Sequence, residues 1–157
     1  LLTGLAVFRG TGRRFELKGT VHGIRVIDDY GHHPTEIDVT LKAARRFAGD
    51  GRLIVIFQPH RYSRTKAFSA QFAKALDRAD RAIVLEVYSA SEKPITGVTS
   101  RLITDAMSHG EYIPNFIEVT DSVIDSAQPQ DVIITLGAGD VSSLAPIIVD
   151  GLSRRFG

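Results

Sequence analysis

The sequence predicts an α/β domain in which a mostly parallel sheet, entered through a leading β-hairpin, carries helices on both faces. Three observations support that prediction. Predominantly apolar runs occur at Leu53–Phe57, 82–87 and Val132–Leu136, helical apolar periodicity lies between them, and two strand-like segments precede them. Strands buried on both faces read as continuous apolar runs, and helices of ten or more residues between them supply the crossovers that a parallel sheet requires.

The elements follow in order. Segments 14–18 and 24–28 alternate or run apolar, and His22-Gly23 between them offers a left-handed turn, so they predict the hairpin. Asp28-Asp29-Tyr30-Gly31-His32-His33-Pro34 comes next. Pro34 suits the first turn of a helix, Ile37, Leu41, Ala44 and Ala48 recur on one face, and Gly49-Asp50-Gly51 should end it. After the strand at Leu53–Phe57, a polar loop over 58–64 leads to a helix with Phe68, Phe72 and Leu76 inward. The run at 82–87 is the next strand. Beyond the loop 88–97, a third helix carries Leu102, Ile103 and Ala106, and 116–119 and Val132–Leu136 read as further strands. The last helix runs from about Ser142 towards Leu152, with Pro146 tolerable only in its first turn. No internal repeat, low-complexity tract or linker interrupts this pattern, so residues 1–157 read as one domain.

Composition narrows the function classes. With 43% hydrophobic and 24% charged residues the chain can bury an ordinary core. Its 19 Lys and Arg against 18 Asp and Glu leave a charge of +1, with no basic surplus for nucleic acid or an anionic membrane. The absence of cysteine excludes disulfides, thiolate nucleophiles and Cys-based metal sites. No apolar run approaches the roughly 18 to 20 residues of a membrane-spanning helix. The apolar start, 1–7, lacks the basic region of a signal peptide and begins without Met, so a piece of a longer cytoplasmic protein is expected.

In open α/β sheets, ligands bind beyond the carboxyl ends of the strands. Four polar loops converge there: Asp29, Tyr30 and His32; His60, Arg61 and Arg64; Tyr88 to Glu92; and Gly137 to Asp140. Gly137-Ala138-Gly139-Asp140 can offer amides to an anion, although Ser142 stands at the third glycine of the dinucleotide fingerprint and a ligand-free tight turn is the alternative. Asp28, Asp29, His32, His33 and His60 carry metal-binding groups, but their spacing matches no metalloenzyme pattern, and helix capping or ligand hydrogen bonding explains them better. Ser63 and Ser69 lack the glycines of a nucleophile elbow. Arg61 and Arg64 at a helix start oppose its dipole, which makes sense if both forks face a carboxylate or phosphate; a solvated basic loop is the alternative.

Taken together, Gly12-Arg13-Arg14-Phe15-Glu16, Asp28-Asp29-Tyr30-Gly31-His32-His33-Pro34-Thr35-Glu36, Phe57-Gln58-Pro59-His60-Arg61-Tyr62-Ser63-Arg64-Thr65 and Gly137-Ala138-Gly139-Asp140 resemble the C-terminal domain of the Mur ligases. The two central motifs are the specific ones. The resemblance implies a Rossmann-like domain that closes over an active site, with an N-terminal UDP-sugar domain and a central P-loop ATPase domain absent from this chain. It further implies a peptidoglycan-building, ATP- and magnesium-dependent ligase. ATP converts a carboxylate to an acyl phosphate, an amino acid's amine attacks, and a tetrahedral intermediate collapses to amide and phosphate.

The branch most resembled joins L-alanine to UDP-N-acetylmuramate. The ligase that recycles murein tripeptide shares the Asp29-to-Thr35 pattern but not the His60-to-Thr65 form. Arg14 is similar to the family's arginine facing the ATP phosphates, and Asp29 to its aspartate on the nucleotide ribose. Tyr30, His32, His60, Arg61 and Arg64 resemble the L-alanine pocket, with His32 a candidate to deprotonate the amine because its ordinary pKa lies near neutrality. No metal ligand is implied within this chain, and the domain alone is expected to be inactive. The reading from a different class is a non-catalytic module that binds an anion or nucleotide at Gly137 to Asp140.

Overall fold

The computed structural model describes residues 14–157; the apolar start, and Gly12 and Arg13 of the first motif, lie outside the described residues. The chain runs β1 (Glu16–Val21), β2 (Ile24–Asp29), α1 (Pro34–Ala48), β3 (Leu53–Phe57), α2 (Tyr62–Leu76), β4 (Arg81–Val84) and α3 (Arg101–Thr104). It continues through β5 (Gly110–Tyr112), α4 (Phe116–Ser126), β6 (Val132–Leu136), a 3-10 turn (Asp140–Ser143) and α5 (Leu144–Phe156). Among the described residues the strands form one sheet in the order β1-β2-β6-β3-β4-β5. Only β1 is antiparallel to its neighbour; β2, β6, β3, β4 and β5 are mutually parallel.

The period-2 alternation of β3 explains the layering. Leu53, Val55 and Phe57 face a core shared with Ile37, Leu41 and Ala44 of α1 and Phe72 and Leu76 of α2. Ile54 and Ile56 face the opposite core, with Val119 and Val123 of α4 and Leu144, Ile148 and Leu152 of α5. Each such aliphatic side chain contributes about 1.5–3 kcal/mol on full burial, so the central strands form the rigid base from which the loops project. At the hairpin tip, His22 (φ 52°) and Gly23 (φ 79°) occupy consecutive left-handed positions, as the sequence predicts.

Four expectations need correction. Residues 116–119 are not a strand but the first turn of α4: Asn115 caps it by accepting the Glu118 amide at 3.0 Å, and Val119, Thr120 and Val123 are buried at helical spacing. A short apolar run does not by itself distinguish the two periods. The strand at that edge is instead the three-residue β5, whose Gly-Glu-Tyr sequence carries no apolar signal. The third helix shrinks to one turn at Arg101–Thr104, because of its apolar positions only Ile103 is fully buried. The β4 strand stops at Val84, since Glu86 and Val87 leave the ladder to begin a loop. Helix α2 also starts earlier than predicted, at Tyr62, and Phe68 interrupts it with φ −123° and ψ 20°.

Candidate functional site at the carboxyl edge of the sheet

Beyond β2 the chain turns sharply because Asp29 organises it. Asp29 is 1% exposed; its Oδ2 accepts the Phe15 amide at 2.7 Å, and its Oδ1 accepts the Gly31 amide at 2.7 Å and the Thr40 hydroxyl at 3.4 Å. Burial outweighs these bonds and the nearby Arg14, raising its pKa above the ordinary aspartate range. Helix α1 then opens with a reciprocal capping box. His33 accepts the Thr35 amide at 3.3 Å, while Glu36 accepts the His32 and His33 amides at 3.1 Å each. Burial alone would raise the Glu36 pKa, but those two amides, with His32 and Arg14 behind them, hold it below the usual range.

From Arg14 a continuous series of contacts crosses the strand ends. Arg14 stands 3.6 Å from Glu36, and Glu36 lies 3.7 Å from His32 Nδ1. The His32 ring is 5.2 Å from Tyr30 and 5.7 Å from His60, and His60 stacks on Tyr88 at 5.5 Å with 16° between the planes. Arg64 Nη1 reaches both the His60 carbonyl at 3.1 Å and His60 Nδ1 at 3.2 Å. Arg61 presents an exposed side chain beside them from a backbone held at φ 76°, its amide donating to the Tyr88 carbonyl at 2.8 Å. The seven residues singled out from sequence therefore gather in one neighbourhood. Of the two serines weighed in the sequence, Ser63 donates its hydroxyl to Glu92.

The two imidazoles have opposite chemistry. His32 Nδ1 lies 3.2 Å from the Tyr30 carbonyl, which can only accept, so the neutral ring carries its proton there and leaves Nε2 as a base. His60 Nδ1 faces a guanidinium, which can only donate, so the His60 proton sits on Nε2. Burial, then Arg64, His32 and Arg61, lower the His60 pKa from 6.5 and keep the ring neutral. A proton acceptor and a hydrogen-bond donor thus stand on neighbouring rings at the mouth of the site.

The Gly-rich loop is built as a tight turn. Its Val141 amide donates to Gln58 Oε1 at 3.2 Å, and Gln58 Nε2 donates to Asp140 at 2.7 Å. Gln58 thus ties the glycine-rich turn to the loop after β3. A Cβ at Gly139 would lie 2.4 Å from Gln58 Oε1 and 2.7 Å from Tyr88 Cγ, which is why glycine stands there. Among the described residues no three His, Asp or Glu side chains converge on a point suited to a metal ion.

Sequence reasoning left several contributors without a role. Gln58 bridges two loops, Tyr88 extends the aromatic row, and Glu92 receives the Ser63 amide at 2.9 Å. Glu86 accepts the Tyr112 hydroxyl and the Val87 and Ser100 amides, and that hydroxyl bond, with burial, pushes the Tyr112 pKa up to about 12. Only Glu36 had a legible signal, three residues after the cap at His33.

The profile of the Mur ligase family's glutamate ligase domain matches residues 13–139. A UDP-N-acetylmuramate--L-alanine ligase of Saccharopolyspora erythraea is 50% identical over 161 residues, covering 100% of this chain and 33% of that protein. The crystal structure of the UDP-N-acetylmuramate-alanine ligase of Thermotoga maritima superposes with a TM-score of 0.77 at 30% identity, over 98% of this chain and 33% of that one. A murein peptide ligase of Psychrobacter arcticus shares the fold, with a TM-score of 0.75 at 24% identity over 90% of this chain and 30% of that one. The chain therefore spans a third of the length of the relatives it matches.

Proposed function

The chain belongs to the Mur ligase family as its glutamate ligase domain, and on that premise we propose that it is the amino-acid-receiving domain of an ATP-dependent ligase that joins L-alanine to UDP-N-acetylmuramate. The observation that carries the reading is the cluster of Arg61, Arg64, His32 and His60 at the carboxyl edge of the sheet, in a chain 50% identical to a relative of that name. The 24% identity of the murein peptide ligase supports a shared fold only, so the alanine-adding reaction is favoured over the recycling one.

In this proposal the muramate carboxylate would attack the γ-phosphorus of ATP, with magnesium supplied through the other domains, giving an acyl phosphate and releasing ADP. Arg61 and Arg64 clamp the carboxylate of L-alanine, a geometry suited to planar forks. The recorded bonds of Arg64 use Nη1, which leaves Nε and Nη2 for that clamp. The rings of Tyr30, His32 and His60, 5.2 and 5.7 Å apart in turn, would bound the side of the site that receives the methyl group. His32 Nε2 takes a proton from the ammonium, freeing the amine to attack the acyl carbonyl, and His60 Nε2–H donates to an oxygen of the bound substrates. Collapse of the tetrahedral intermediate releases phosphate and leaves the amide.

Arg14 offsets negative charge on the ATP phosphates when the domains close. Ribose contact by Asp29 requires its buried, 1%-exposed carboxylate to be uncovered; Oδ2 accepts only the Phe15 amide and keeps a lone pair for a ribose hydroxyl. Holding reactants across closed domains supplies much of such a rate, so the domain alone is proposed to be inactive. The proposed setting is the bacterial cytoplasm; no helix among the described residues is long and apolar enough to cross a membrane.

The test is kinetic, in the full-length ligase. Arg61→Ala or Arg64→Ala raises the KM for L-alanine by roughly tenfold or more, as expected for loss of a charge-assisted bond, and leaves the KM for the UDP-sugar unchanged. An unaltered alanine KM in both variants would refute the clamp.

A further inference from the structure

Resting on the reading of Arg61 and Arg64 as a carboxylate clamp, we propose that Glu92 is the positioning residue for that clamp, a helix cap supplied from the loop after β4. Helix α2 begins badly on its own terms. Its N-cap residue is Arg61, which makes no side-chain capping bond, and its first turn holds no acidic residue. Two cations, Arg61 and Arg64, stand where the helix dipole is positive. Arg61 also holds φ at 76°, a region that a non-glycine residue keeps only when its surroundings enforce it.

Glu92 supplies what the helix lacks. Its Oε1 accepts the Ser63 amide at 2.9 Å and its Oε2 the Ser63 hydroxyl at 2.5 Å. Its charge faces Arg61 and His60. Acid at a helix start is favoured by the dipole, and here it also offsets the cations of the clamp. The loop is shaped to deliver this carboxylate. Ala90 (φ 50°) and Ser91 (φ 70°) are both left-handed, and the Glu92 amide closes the turn on the Ser89 carbonyl at 2.9 Å. The loop is stitched to the helix start by Arg61 amide to Tyr88 carbonyl and Tyr88 amide to Pro59 carbonyl, both 2.8 Å. Both hydrogen bonds of Glu92 to α2 fall on Ser63, between the two arginines, so its removal disturbs the direction in which they leave the helix without opening the core.

The experiment uses the full-length ligase with Glu92→Ala, Glu92→Gln and Arg61→Ala. Glu92→Gln keeps a carbonyl that can accept the Ser63 amide but loses the charge. The expected result is an alanine KM raised about tenfold in Glu92→Ala and about threefold in Glu92→Gln, with the ATP KM within about twofold in both. Amide exchange over residues 61–65 accelerates in Glu92→Ala while that of β3 does not. An alanine KM within about twofold of the parent in both Glu92 variants overturns the proposal. So does a joint rise of the alanine and ATP KM with Glu92→Gln no better than Glu92→Ala, which marks a general loss of structure. Arg61→Ala, read beside Arg64→Ala, separates the two levels: an unchanged alanine KM in both overturns the clamp itself, whereas a raised one beside an unaffected Glu92→Ala overturns only the positioning role.

Discussion

The two edges of the sheet handle charge in opposite ways. At the amino edge, cations are matched to acids or carbonyls. Arg52 grips the 1%-exposed Asp131 through bonds of 3.0 and 2.7 Å, and Arg81 grips Glu111 at 2.8 and 3.0 Å. Arg25 lies over the Phe47 ring and donates to two carbonyls, and Asp80 takes both the Leu53 amide and Arg45. At the carboxyl edge, Arg61 and Arg64 reach no carboxylate in the recorded bonds, and imidazole and phenol rings stand half-open around them. Paired charge at one edge locks crossovers in place; at the other, beside the Arg14–Glu36 pair, the forks of Arg61 and Arg64 that no carboxylate grips are what an incoming carboxylate would complete. Substitutions at the amino edge should therefore cost stability, and those at the carboxyl edge should cost binding.

The sharpest way to break this comparison is Arg52→Met, which leaves the buried Asp131 with only the Gln128 amide as a recorded side-chain partner. Urea denaturation should show a loss of about 3 kcal/mol, with the alanine KM of the full-length ligase unchanged. A stability loss below measurement would remove the distinction between the edges. Next in size is Gly139→Ala at the carboxyl edge, where the new methyl meets Gln58 and Tyr88. Overpacking there should cost about 2 kcal/mol and also raise the alanine KM, because Tyr88 stacks on His60. A variant that loses neither would show that the turn has room the geometry denies.

The smallest effect is a pH dependence. The folded chain holds the His60 pKa below its ordinary 6.5, so the unfolded chain binds the proton first. Its stability contribution is complete above pH 6.5 and declines as pH falls below that value. Thermal melts between about pH 5 and 7.5 should show that decline, and His60→Gln should flatten it. An identical slope in the variant would assign the decline to another group.

How much of this was legible beforehand differs by element. The hairpin turn at His22-Gly23, the buried face of α1 and the central strands at Leu53–Phe57 and Val132–Leu136 appear where periodicity and turn chemistry put them. These depend on residues close in the chain, or on apolar runs that bury whatever surrounds them. The edge escaped: β5 is three residues of mixed polarity whose pairing with β4 is a long-range event, and residues 116–119 became helix because Asn115 caps them and α4 packs on α5. Local propensity is weak beside such packing.

The candidate site divides along the same line. Residue types and their order along the chain were enough to assemble most of the cast, since Asp29, Tyr30, His32, His60, Arg61 and Arg64 each follow a strand or precede a helix where ligands are met, while Arg14, ahead of β1, was found only through the family resemblance. Their states were not readable from one dimension. That His32 exposes a base while His60 exposes a donor depends on a carbonyl two residues back and a guanidinium one helical turn on. That Asp29 is turned inward, that Gln58 fills the glycine-rich turn, and that Glu92 caps a helix starting 30 residues before it all depend on separate loops converging in space. Hydrophobic pattern is written in neighbours along the chain, whereas hydrogen-bond partners across loops exist only once the sheet has brought the strand ends together.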